Sequence, residues 1–382
     1  MNRFPFSLFL ILVFLAGAVT APEGRCVVVV PEPAPDNSAL TLVPLPASSK
    51  SVASISAVSD VHRLLVVGVT GGELLVYRLT ETGELENQPA ETIRLPRSEA
   101  VKAEECQPTS LLFHPRLPLL YVWLDVLAGE TPKPTGEKFP HLSIYRVQGQ
   151  SLQLVSSSSA GESLEGERWQ QGSLALNSSQ ERLYTPNVLR GPDSVMKDLA
   201  YYDLNAQGLP LTPNDQPAPR QSFAGTFLGT GDSIVPGPDG TLLIGAKGGA
   251  YFLDTVKGRH LELRIVPETS NFYNLVPHPD RPICYFTGIG TGVFFAMEQV
   301  GGHLTQMPKI VRLQVVFQTQ PIVMAARNAV AVGTHGRTVV IFDLDKEGWP
   351  TGKVTEHKVE GMRSVPRMAY SGKFNRLYVP ID

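Results

Sequence analysis

Charge is scarce in this chain of 382 residues. Lys, Arg, Asp and Glu make up 18% of it, and the formal net charge is −3 with no long basic run. Without a basic stripe there is no phosphate-neutralising surface, which excludes nucleic acid as a partner. Cysteine is scarcer still: Cys26, Cys106 and Cys284 allow one disulfide at most, too few for a disulfide framework in so long a chain. His, Cys and carboxylates nowhere fall at transition-metal spacing. No Gly-x-Ser-x-Gly elbow occurs, and no glycine-rich loop joins a strand to a helix as a nucleotide phosphate would need. No stretch sustains a helical period. Neither a metal nor a cofactor is expected. Past the N-terminus no apolar run is long enough to span a bilayer.

What the chain has in quantity is turn-forming residues, with 34 Gly and 32 Pro. That composition suits many short strands joined by many turns. The N-terminus, MNRFPFSLFLILVFLAGAVTAPEG, reads as a secretory signal peptide over residues 1–21. Arg3 supplies the positive start, an apolar run follows, and small residues close it. Cleavage after Ala18 is favoured over cleavage after Ala21, because Pro22 would follow the second cut. An uncleaved N-terminal anchor is the alternative. Either way, residues 22–382 are expected to be exported, to the periplasm or the medium, as one domain.

Seven stretches repeat one pattern: a polar or small residue, a short apolar strand, a turn, then a second apolar strand. Their first apolar residues are Ile55, Leu111, Leu174, Ile234, Leu275, Ile322 and Met368. The spacing, roughly 41 to 63 residues, is that of a four-stranded propeller blade with its loops. Most units continue into a third strand, such as LLVYRL from Leu74, LSIYRV from Leu142 and VVIFDL from Val339, and then into a polar turn and a weaker fourth strand. The expectation is an all-β, seven-bladed β-propeller. The seventh unit stops after two strands, so CVVVV from Cys26 and ALTLVPL from Ala39 are expected to complete it and close the ring.

The stretch VPHPDRPICYFTG, Val276 to Gly288, gathers His278, Asp280, Arg281 and Cys284. Its slot in the repeat is the turn between the first two strands. The same slot holds His114-Pro115-Arg116 in the second unit and Gly237-Pro238-Asp239-Gly240 in the fourth. The shared feature is turn chemistry, so His278 is expected to shape a bend and Cys284 to be buried on a strand.

The forms HPRLPLLYV (residues 114–122), LSIYRV, and DLNAQGLPL (residues 203–211) resemble the propeller lactonase group, which includes propeller-type 6-phosphogluconolactonases and YVTN-repeat proteins. The resemblance spans the mature chain and implies the fold; for activity it implies a lactone hydrolase. It does not carry a catalytic set with it. Where enzymes of the group have Arg-His in a Gly-Pro-Arg-His stretch, this chain has Gly231-Asp232-Ser233.

Candidate site residues come from loops of one face. His335, beside Arg337, is a candidate base with a stabiliser for developing negative charge; the alternative is a plain hairpin turn. Arg190, Asp232 and Lys247 would join them at the axial mouth. Arg168 and Trp169 end a long Ser/Gly/Glu loop, where Trp169 would stack on a sugar or pack at the rim. The favoured function is an exported binding module, monomeric, for a protein or carbohydrate ligand, or an acidic small molecule at those cations. The alternative is hydrolysis of a sugar-acid lactone.

Overall fold

The computed structural model describes residues 26–29, 31–33, 40–46, 53–97, 106–126, 141–158, 173–190, 195–211, 220–228, 230–237, 241–246, 249–254, 259–265, 273–288, 290–300, 303–304, 309–317, 319–360 and 368–381. The signal peptide, Arg168, Trp169 and Lys247 lie outside them. Within them the chain is all-β. Ala325–Arg327, a single 3-10 turn, is the helical element among the described residues, and no helix there is long and apolar enough to cross a membrane.

The strands form antiparallel sheets in a β-propeller arrangement. The first sheet runs Ala53–Ser59, Leu64–Val69, Glu73–Arg78, Glu91–Arg94, in chain order from its inner to its outer strand. The sheets that follow begin at Cys106, Ala175, Thr230, Tyr273 and Ile322 and keep that order. Each is stacked between neighbours on both faces, so its middle strands read as continuous apolar runs. Leu64–Val69, Ile283–Gly288 and Ala329–Gly333 are buried at every residue.

Two expectations are corrected. Six sheets, not seven, have the four or more strands of a complete blade; the C-terminal one has three, Ala369–Ser371, Arg376–Ile381 and Leu40–Pro44. Nor do both N-terminal segments go to that sheet. Cys26–Val28 lies parallel to Lys309–Arg312 on the fifth sheet, and Glu32–Pro33 parallel to Pro350–Lys358 on the sixth. Leu40–Pro44 then pairs, also parallel, with Arg376–Ile381. The segment thus visits three successive sheets at their outer edges, with one short strand on each. An outer edge offers unpaired N–H and C=O groups to any short extended segment, so a strand of three residues carries no address of its own.

The repeated residues prove to be partners across blade boundaries. Tyr121, on the second strand of the second unit, donates its hydroxyl to the Gly208 carbonyl of the third at 2.8 Å. Tyr285 does the same to Gly348 of the sixth unit, and Tyr378 of the C-terminal unit to Gly83 of the first, at 2.8 and 2.7 Å. Each glycine has positive φ (75°, 96° and 77°) in the turn between third and fourth strands. That turn is folded by a side-chain oxygen four residues before its end. Asn205 Oδ1 accepts from the N–H groups of Gln207 and Leu209, and Asp345 Oδ1 from those of Glu347 and Trp349. A Cβ on Gly208 would sit 2.7 Å from Leu119 Cδ1 and 2.9 Å from the Tyr121 hydroxyl. Glycine is therefore required twice there, for backbone conformation and for close approach.

The polar residue that opens a unit is a second link. Ser54 Oγ donates to the Pro108 carbonyl, while Ser110 Oγ accepts from Leu174 N and Ser233 Oγ from Leu275 N. Each ties one inner strand to the next. Apolar clusters fill the gaps between sheets. One of them joins the C-terminal sheet (Ala369, Tyr378) and Val43 to the first sheet through Leu65, Val67 and Tyr77.

Candidate functional site

All inner strands of a propeller run the same way along the axis, so their edges line one channel. Here the channel holds a cavity of about 730 Å³, within the range of small-molecule sites. Every unit contributes to it, as Ile55, Leu111, Ala175, Ile234, Val276, Ile322 and Met368 show. Its walls are sorted along the axis. Towards the N-terminal ends of the inner strands lie Gln107, Thr109, Ser173, Asn274, Thr319 and Gln320, with Ser54 and Ser110; the middle is mostly aliphatic, with Ser56 beside Ile55; Asn177, Ser178 and Gln180 lie at the far end, in a turn between first and second strands. Among the described residues, no Asp, Glu, Lys, Arg, His, Cys or Tyr lines it.

Several lining hydroxyls already hold the fold. Ser54 and Ser110 link units, and Thr319 Oγ1 accepts from the buried Gly333 N–H at 2.7 Å. Gln320 differs. Its Nε2 donates to the Leu275 carbonyl of the fifth unit at 3.3 Å, and its Oε1 accepts from the Ser173 hydroxyl of the third at 3.1 Å. The third and sixth sheets are not sequence neighbours, so this amide reaches across the mouth. Sequence reasoning missed it because it looked for charged loops. The available signal was the unit-opening slot, where Gln320-Pro321 stands in place of the Ser of four other units.

The candidates read from sequence are placed as follows. His335 and Arg337 share the exposed turn between Ala329–Gly333 and Thr338–Leu344. The His335 N–H donates to the Val316 carbonyl, the Arg337 N–H to that of Thr334, and Arg337 has a φ of 59°. The Thr334 and Thr338 hydroxyls, 2.8 Å apart, tie the turn at its base. Neither His335 nor Arg337 lines the cavity. Arg190 lies in the strand Arg182–Arg190 and Asp232 in Thr230–Pro236, both outside the residues whose side chains are described.

The turn reading of VPHPDRPICYFTG holds. His278 Nδ1 accepts from Asp280 N at 3.0 Å, and His114 Nδ1 from Arg116 N and Leu117 N at the same distance. Burial, aided by the adjacent Arg281 and Arg116, pushes both imidazoles below their ordinary range. Both are thus kept neutral, as an accepting Nδ1 requires. Cys106 and Cys284 are buried and form no disulfide, and burial pushes the Cys284 thiol far above its ordinary range. Among the described residues no group of His, Cys, Asp and Glu is arranged to hold a metal ion.

No family model and no curated protein matches the chain. Among solved structures it is similar to a periplasmic gluconolactonase of Pseudomonas aeruginosa. The identity is 18% and the TM-score 0.56, over 82% of this chain and 94% of that one. At that identity the likeness is one of fold: the chain has a propeller lactonase-like fold.

Proposed function

We propose that the chain is an exported propeller that binds a neutral, hydroxylated ligand, a carbohydrate in class, in its axial cavity. The observation that carries this is the wall itself, rich in Ser, Thr, Asn and Gln and without a charged side chain among the described residues. A carboxylate or ammonium entering it would lose its water and gain no counter-charge from the described residues. Sugar hydroxyls would exchange water for side-chain amides and hydroxyls at little cost. The C-terminal unit reaches the cavity through Met368 and the first unit through the Tyr378–Gly83 bond. Export rests on the N-terminal sequence and on the periplasmic origin of the similar structure.

The test is calorimetric titration of the mature chain with neutral mono- and disaccharides, beside an assay of gluconolactone hydrolysis corrected for the spontaneous rate. Saturable binding of a neutral sugar without turnover is expected. The second reading, a lactone hydrolase, is favoured by the fold likeness. Turnover above the spontaneous rate that is lost in His335→Ala or Asp232→Asn would establish it in place of the first.

A further inference from the structure

The sorting of the channel wall says more about the ligand than neutrality does. The polar mouth is deep in hydrogen-bonding groups, yet it opens onto a waist of Ile55, Leu111 and Ile322, each incompletely buried, with Ser56 as the polar side chain beside them. A free sugar filling both would leave most of its inner hydroxyls against aliphatic walls, unpaired, at a cost of about 1–3 kcal/mol each. A purely apolar ligand would instead strand the mouth amides. We propose, building on the neutral-ligand reading above, that the channel takes an amphipathic ligand: a hydroxylated head at the mouth and an alkyl part in the waist.

Gln320 is the specificity-determining residue in this arrangement. Its amide spans the mouth between Ser173 and Leu275. Both bonds are neutral, the longer one is weak at 3.3 Å, and the side chain is only partly buried. Head hydroxyls can replace the Ser173 partner with little net change in hydrogen bonding. The amide then offers a donor and an acceptor to the head, which a carboxylate at this position could not do.

The experiment uses the full mature chain and a series of methyl, butyl and hexyl β-glucosides, titrated below their micellar concentrations. Each methylene buried in the waist should raise affinity about fourfold, the effect of ~0.8 kcal/mol per CH₂. Gln320→Leu should weaken every member about tenfold and keep the chain-length slope. Leu111→Ser should flatten the slope; Ile322→Ser serves the same purpose if the first variant melts early. Methyl and hexyl glucosides binding equally well would overturn the amphipathic assignment while leaving the neutral-carbohydrate reading intact. A slope that survives both waist substitutions would mean surface adsorption and also overturn it. Binding of no glucoside at all would sink both readings together.

Discussion

Replacing Tyr378 by Phe removes one oxygen atom from the contact that joins the last unit to the first. The hydroxyl is buried and donates to the Gly83 carbonyl at 2.7 Å. Burial pushes its pKa up to about 12, so it remains a donor throughout the working range. The ring itself stays, and with it the packing against Leu65, Val67 and Tyr77. What is lost is a neutral hydrogen bond worth about 1 kcal/mol, and the carbonyl is left without that partner, so the expected cost is ~1–3 kcal/mol. Gly83→Ala should cost more. Its φ of 77° is strained for any side chain, by about 1–2 kcal/mol, and the new Cβ would run into the Phe374 ring. Because the two residues touch, the double variant should lose less than the sum, with a coupling of about 0.5–3 kcal/mol. The assay is urea unfolding of the four chains, read as midpoint shifts at constant slope. Strict additivity, or a Tyr378→Phe midpoint equal to wild type, would refute the claim that this contact holds the first and last units together.

Deleting residues 22–36 should lower the melting temperature less than deleting residues 22–46, because only the longer cut removes the third strand, Leu40–Pro44, of the C-terminal sheet. Equal losses for the two truncations would contradict that pairing. A thiol reagent at pH 8 should leave Cys106 and Cys284 unmodified by mass spectrometry until urea is added, since both are buried and the Cys284 thiolate is strongly disfavoured. His114 and His278 have folded pKa values below the ordinary 6.5, so on acidification the unfolded chain takes up these protons first. Their contribution is full above about pH 6.5 and lost as pH falls from there towards the folded values. The double variant His114→Asn, His278→Asn should show a shallower loss of stability between pH 6.5 and 5 than wild type.

The blade pattern was legible because each strand carries its own apolar run and each turn its own Gly, Asp or Asn. The Tyr-bearing second strand and the D-x-x-G turn were both visible, but not that one is the other's partner: Tyr121 and Gly208 stand 87 positions apart. The opening Ser of a unit read as a marker, while its work as a bond between inner strands needs two units in register. Two of the three N-terminal strands were visible as strands, Glu32–Pro33 was not, and the destinations were not, because parallel pairing on an outer edge depends on reach rather than on pattern. The channel was the least legible of all. Each unit gives it only a few residues, from strand edges, and none is charged among those described. A search for acids, bases and cations therefore led to exposed turns such as that of His335 and Arg337.

The most direct test of the neutral axial site is a matched pair of ligands, methyl β-glucoside and methyl β-glucuronide, titrated into the mature chain by calorimetry at pH 7. They share a ring and differ in a carboxylate, whose desolvation is uncompensated in a channel whose described walls carry no charge. The glucoside should bind at least about tenfold more tightly, a difference of 1.4 kcal/mol. Tighter binding of the glucuronide, lost in Arg337→Ala, would contradict the account and move the site to the cationic turns of the face.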